Sequence, residues 1–456
     1  MDKSAKQNKM GTMHEGKLLA TMGMPLMLSM LVSAIYNIVD SFFVAQIPGL
    51  GDAAVNALTL AFPVQMLMTA LAVGTGVGVG ASLSRHLGRG DKESANKTAG
   101  NAMFLYGLYF AILCLFGLLG AKPYIAGQTD DNTVLLLGVS YLRIVTCFSF
   151  GFMGEKCFEK LLQSTGKATC SMIGQLTGAI TNIILDPILI FGYFRFPAMG
   201  VSGAAIATVV AQCCAVIVST TLHFRKNKEL SNGLQYIKPD KEIIRAILKV
   251  GAPAILIQSL TSVMSYGMNL ILQGISAAAV TAFGIYYKLQ TFIFMPAFGL
   301  NNASIPIIGF NRGAKKFDRV RNTIRYGLIA VIGIMVFGFA LFQCFAKPIV
   351  DVFGLSSEIT ELCVLAIRII SVGFIFSGVN VLLQGVCQAL GNGTASLIIS
   401  VLRLVVGVLP LAAILASIQG AENFIWVVFP IAEAVSIVGA IILTMKTYRR
   451  ASSSNS

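Results

Sequence analysis

Apolar residues run in long stretches, each of about 20 or more, along almost the whole chain, broken by short polar segments rich in Lys, Arg, Gly and Asn. At a rise of about 1.5 Å per residue, a helix of that length crosses the hydrocarbon core of a bilayer. Twelve spans can be drawn, over residues 18–46, 53–83, 98–120, 132–163, 168–194, 200–223, 247–273, 278–307, 325–346, 359–388, 394–417 and 423–445. Residues 1–17 are polar and lysine-bearing, and the run after them is too long for a signal-peptide core, so no cleaved leader is expected. The pattern predicts an all-α integral membrane protein.

The spans come in two sets of six that echo each other at one constant offset. Ala121-Lys122-Pro123 returns as Ala346-Lys347-Pro348, Arg143 as Arg368, Gln163 as Gln388, and Gly166 as Gly391. Gln65 and Gly74 return as Gln290 and Gly299 in the same register. One shared register over half a chain marks a duplication. Because six spans is an even number, both copies enter the membrane from the same side, as parallel repeats about an axis along the membrane normal. The expected domains are a tail (1–17), an N-lobe (18–223), a polar connector (224–246), a C-lobe (247–445) and a second tail (446–456). Two related halves in so apolar a chain point to a transporter with its path between them.

Composition sharpens the picture. Hydrophobic residues make up 55% of the chain and charged residues 12%, about half the charge of an ordinary soluble domain. The net charge of +14 would suggest nucleic acid in a soluble protein, but here it follows topology. Of 34 Lys and Arg, 27 fall in the tails and the 84–97, 156–167, 225–249 and 312–325 segments, all on one side of the predicted membrane; only Lys122, Arg195 and Lys347 fall on the other. The positive-inside rule therefore places both termini in the cytoplasm, and no nucleic-acid partner is expected. None of the nine cysteines forms a C-x-x-C pair and the histidines are scattered, so buried thiols are expected rather than disulfides or a metal site.

Charge inside a span is costly and usually faces a cavity or a partner. From Lys17 to Asp40 is about 34 Å of helix, and from Lys167 to Asp186 about 28 Å. Both acids should sit at similar depth in the outer part of the membrane. Asn182, one turn before Asp186, shares its face. Two carboxylates and an amide at one level make a candidate site for a proton or Na⁺, with no other metal expected. The bland alternative is that both acids are wet at the interface. Pro25, roughly four helical turns before Asp40, permits a bend in the same helix.

Further in, Glu155 and Glu159 alternate with Lys156 and Lys160. They are either a self-neutralising helix end or, for Glu159, a cavity-facing charge. Glu433 in span 12 is another cavity candidate; Lys288 in span 8 is either its ion-pair partner or an independent site. Arg143 and Arg368 read as interface anchors, and no role is evident for Arg403. The second half has no counterpart of Asp40 and Asp186, which suggests that one lobe carries the coupling ion.

Several segments together resemble the MATE (multidrug and toxic compound extrusion) family, most closely its MepA-like bacterial branch. They are Pro25 with Tyr36-Asn37-x-x-Asp40, the loop Leu87-Gly88-Arg89-Gly90-Asp91 with its copy Phe310-Asn311-Arg312-Gly313-Ala314, Tyr141-Leu142-Arg143-Ile144, Gln163-x-x-Gly166, Asp186-Pro187, Gly203-Ala204-Ala205-Ile206-Ala207-Thr208 and Met295-Pro296 to Pro306. The resemblance covers nearly the whole chain. It implies a V-shaped pair of six-helix lobes that alternate between inward- and outward-open states. It implies export of organic cations and drugs against inward H⁺ or Na⁺, in a bacterial cytoplasmic membrane, by a monomer with no cofactor and no enzymatic activity. Carried over by position, Asp40, Asn182 and Asp186, with Thr208, match the N-lobe cation site and Pro25 the bending proline. Tyr36, Asn37, Glu159, Lys288 and Glu433 are the substrate-cavity candidates. The rival reading is a lipid-linked oligosaccharide flippase of related fold, whose cavity would be rich in basic residues.

Overall fold

The structure is a computed structural model that describes residues 8–231 and 233–453. Among these the chain is helical, without strands. In the first half α1 is Glu15–Ala45, α2 Gly51–Arg89, α3 Lys92–Leu119, α4 Ala121–Ala126, α5 Asn132–Cys147, α6 Phe150–Ser164, α7 Ala168–Phe191 and α8 Gly200–Lys226. In the second, α9 is Lys241–Gln273, α10 Ala277–Gly313, α11 Phe317–Asp351, α12 Ser357–Ser371 and α13 Phe374–Ala389. Then α14, Gly393–Val401, passes through a π-helical turn, Leu402–Val406, into α15, Val408–Ala416; α16 (Ala421–Phe424) and α17 (Val428–Ser453) close the chain. With α14–α15 and α16–α17 each taken as one, ten helices among the described residues are long and apolar enough to cross a membrane. The pairs α5–α6 and α12–α13, bent by 44° and 51°, bring the number to twelve if each is one span.

The predicted spans fall on these helices, but the helices overrun them at the basic end. Helix α2 continues to Arg89 and α10 to Gly313, while α11 starts at Phe317 instead of 325. Local chemistry explains it. Polar residues extend a helix past its apolar run until a cap stops it: Gly90 ends α2 in the left-handed region at φ 75° and Asp91 starts α3 by accepting a hydrogen bond from Ser94 N at 3.0 Å.

The register of the repeat holds at the level of helix boundaries. Residues 168–191 of α7 map onto 393–416 of α14–α15. Gly166 and Gly391, matched already in the sequence, both close the turn into those helices at positive φ, 82° and 71°, which is why both are glycine. The contacts between halves obey the same symmetry. A Cβ on Gly88 would lie 1.9 Å from the Phe310 carbonyl oxygen, and one on Gly313 would lie 2.1 Å from that of Arg85. The two contacts exchange under the shift that carries Gly88 onto Gly313, the mark of an approximate two-fold axis. Gly74 and Gly299 repeat the pattern against Ile255 and Met27. Small residues here let helices of opposite lobes meet backbone to backbone.

The chain division at the connector does not divide the cores. Leu18, Leu19, Met22 and Leu26 of α1 pack in the core built by α10–α13, while Ile243 and Ile247 of α9 pack in the core of α2, α3, α5 and α6. Each lobe thus takes the basic-end half of the other's first helix. The basic end is fastened further by the segment before α1. Asn8 Nδ2 donates to the Thr165 carbonyl at 3.2 Å on the N-lobe side. On the C-lobe side Asn311 Nδ2 donates to Met10 O at 2.9 Å and Lys316 Nζ to Gly11 O at 3.1 Å. Arg319 pairs with Glu15 at 3.0 Å. Burial and the nearby Lys167 push the Lys9 ammonium below its usual value. The pseudo-symmetric counterpart of this segment is the connector, whose backbone at Lys238 and Asp240 is held by Asn101 of α3 at 3.3 and 2.8 Å.

Candidate cation site and its replica

Three helices of the N-lobe meet at one polar centre, buried at Asn182 and Asp186 and half-buried at Asp40 and Thr208. Asp40 comes from α1, Asn182 and Asp186 from α7, and Thr208 from α8. Asn182 and Asp186 are one turn apart and 2% and 0% exposed. Asn182 Nδ2 donates to Asp186 Oδ1 at 3.1 Å and lies 3.5 Å from Thr208 Oγ1. Asp40 on α1 and Asp186 on α7 lie near enough to each other for their charges to interact. Asp40 Oδ1, Asn182 Oδ1 and Asp186 Oδ2 are buried oxygens without a hydrogen-bond partner. Four oxygen-bearing side chains on three helices therefore converge with acceptor capacity to spare, which suits a proton between the acids or a hard cation such as Na⁺.

Tyr36, one turn before Asp40, and Tyr141 on α5 lie within electrostatic range of both acids, and Gln65 Nε2 donates to the Tyr141 hydroxyl at 2.8 Å. This Gln65–Tyr141 support is not predicted from the sequence, although the repetition of Gln65 as Gln290 is a signal of it. Asn37 points the other way: it is exposed and spends its amide on Ser33 O at 2.8 Å. Pro25 lies within α1, which continues unbroken through it.

Glu159 is not free to meet a ligand in this state. It is 2% exposed, with Lys156 Nζ at 2.7 Å, Lys160 Nζ at 3.6 Å and Gln163 Nε2 at 2.9 Å; Lys156 also pairs with Glu155 at 3.1 Å. The charges of α6 are self-neutralised inside the N-lobe core. Lys156 and Lys160 are thus intrahelical rather than loop charges, and setting them aside leaves the Lys/Arg asymmetry intact.

The partner of Glu433 is Arg403, not Lys288. Arg403 Nε donates to Glu433 Oε1 at 2.5 Å, whereas Lys288 is exposed and makes no ion pair among the described residues. Arg143 and Arg368 are both exposed, at matching positions of the repeat. All nine cysteines are free, and the described residues contain no group of three or more His, Cys, Asp and Glu able to hold a metal.

Residues 25–188 and 253–414 each match the MatE family model. The chain belongs to the MatE family. The family's unit thus occurs twice, its two matches displaced by nearly the offset that the sequence and the helices share. Among its relatives is the multidrug export protein MepA of Staphylococcus saprophyticus, 27% identical over 92% of this chain and 91% of that protein. Another is the FAD transporter of Shewanella oneidensis, 25% identical over 90% of each. Of solved structures, an outward-facing conformation of a multidrug resistance MATE family transporter superposes with a TM-score of 0.91 at 23% identity, covering 99% of both chains. A mutant of the Vibrio cholerae MATE transporter VcmN gives 0.88 at 23% identity, covering 97% of this chain and 99% of that one. This MatE protein is therefore a multi-pass membrane transporter with the MATE fold.

Proposed function

We propose that this MatE protein is a secondary active multidrug exporter of the bacterial cytoplasmic membrane, expelling cationic and lipophilic compounds in exchange for H⁺ or Na⁺. The observation that carries the reading is the facing pair Asp40–Asp186, braced by Asn182 and, among the described residues, lacking a basic partner. Two like charges in a low-dielectric site repel unless a cation intervenes. Binding a proton or Na⁺ draws α1 and α7 together, and releasing it lets them part, so the ion couples to helix position. The Lys/Arg asymmetry supports a cytoplasmic basic end and cytoplasmic termini. The interlocked basic end is then the closed inner gate of an outward-open state, and Pro25 is the point at which α1 would bend.

Charge favours cationic cargo. Intramembrane Arg403, Lys156 and Lys160 are all spent on carboxylates, which leaves the acids of the N-lobe centre to set the local potential. A flippase for pyrophosphate-linked sugars, or a carrier of an anion such as FAD, would need a cluster of free basic groups at this depth, where Lys288 stands alone without an ion pair among the described residues. The soft Met and aromatic side chains of the helices suit cargo of varied shape.

The test is ethidium efflux in everted vesicles, with the pH and Na⁺ gradients imposed separately. One of the two should drive transport, and Asp40→Asn and Asp186→Asn should each abolish it. Full transport by both variants would end this reading.

A further inference from the structure

The second half has a buried polar centre of its own, at the place that repeats the first. Glu433 repeats Thr208 and Ser265 repeats Asp40, at the same offset that carries Gly166 onto Gly391. The π-helical turn Leu402–Val406 lies in the stretch that repeats the helix around Asn182. Here the chemistry differs. Glu433 Oε1 accepts from Arg403 Nε at 2.5 Å and Oε2 accepts from Asn380 Nδ2 at 2.8 Å. The same Nδ2 reaches Ser436 Oγ at 2.8 Å and the Glu433 carbonyl at 3.0 Å. Arg403 and Glu433 are each less than a tenth exposed and Asn380 is fully buried. Tyr286 and Tyr287 of α10 are near enough to interact with the pair, Tyr286 with both Glu433 and Arg403 and Tyr287 with Arg403. Asn380 Oδ1 is buried without a hydrogen-bond partner, so one oxygen acceptor is left over beside the ion pair.

A buried carboxylate needs a counter-charge. In the N-lobe the helices bring none, and a mobile ion can serve. In the C-lobe Arg403 brings one that is covalently fixed and does not deprotonate in a protein. Arg403 sits in the π-helical turn, where the backbone departs from the regular α-helical hydrogen-bond ladder.

We infer that Arg403 is a built-in cation: its guanidinium holds the place that the coupling ion takes in the N-lobe, so the C-lobe replica is permanently charge-compensated and coupling runs through one lobe. This rests on the reading of Asp40 and Asp186 as the coupling acids. It carries a consequence that reading alone does not. Removing the guanidinium should uncover a second cation site made of Glu433, Asn380 Oδ1 and Ser436 Oγ.

The experiment uses the purified full-length chain with the N-lobe acids silenced, as Asp40→Asn/Asp186→Asn. Proton binding is titrated between pH 5 and 9, and the rise in unfolding temperature with Na⁺ is measured. Adding Arg403→Gln should restore one titrating proton or a Na⁺-dependent rise, and adding Glu433→Gln to that variant should remove it. No gain from Arg403→Gln would overturn the inference. If Arg403→Gln does not fold, Glu433→Gln alone in the otherwise native chain decides. The inference expects the proton or Na⁺ count per transported molecule to be unchanged, and a count reduced by one would show Glu433 exchanging ions despite Arg403 and overturn it. A silenced N-lobe that binds protons and Na⁺ like the native chain would instead remove the coupling role of Asp40 and Asp186, a distinguishable result.

Discussion

The two lobes share a backbone plan and differ in what they place at its centre. In the N-lobe, Asp40, Asn182, Asp186 and Thr208 leave several buried oxygens unpartnered. In the C-lobe, Ser265 and Glu433 stand at the repeats of Asp40 and Thr208, and Arg403 closes the charge balance at 2.5 Å. Duplication supplied two equivalent junctions between helices. The residues at one now leave acceptors free for the proposed exchange of a cation, while those at the other close on an ion pair. A charged group in a membrane protein is thus functional or structural according to whether its counter-charge can leave.

The largest effect should come from breaking the open centre. Asp40→Asn and Asp186→Asn are each expected to lower drug efflux at least tenfold, and the double variant to be no worse than either, because groups acting as a unit are not additive. Asn182→Ala, which removes the donor to Asp186, should cost about 1–3 kcal/mol of ion affinity, read as a shift in the Na⁺ or proton concentration giving half-maximal transport. The closed centre should respond in stability instead. Arg403→Gln leaves Glu433 buried and unpaired at a cost of about 3–5 kcal/mol, whereas Arg403→Gln/Glu433→Gln should recover most of it; thermal unfolding in detergent measures both. Equal losses for the single and double variants would refute the ion-pair account.

The symmetric contacts allow a finer test. Gly88→Val and Gly313→Val each put a side chain into the backbone of the other lobe, and overpacking of that kind costs about 1–3 kcal/mol. Both should open the basic end by similar amounts, seen as longer distances between spin labels there. The smallest effect lies at a position where the repeats differ in residue but not in conformation. Gly90 adopts φ 75° and its counterpart Lys315 adopts φ 58°, so Lys315→Gly should stabilise the fold by up to about 1 kcal/mol, measured as a rise in unfolding temperature.

Much of this molecule is legible in its sequence because the bilayer is a demanding solvent. Unpaired backbone polar groups are excluded from hydrocarbon, so long apolar runs must be helices. Their number, the duplication in one register and the repeated turn glycines Gly166 and Gly391 followed from residues alone. So did the pairing of Asn182 with Asp186, which is local to one helix. What tertiary structure decided is which distant side chains meet. Nothing in the spacing of Arg403 and Glu433, which lie on separate helices, selected that pair over Lys288. No periodicity revealed that α1 and α9 exchange their basic-end halves between cores, or that residues 8–15 fasten both lobes. Those contacts depend on how helices cross, which backbone-to-backbone approach at a few glycines sets and which hydrophobicity, being without direction, leaves open.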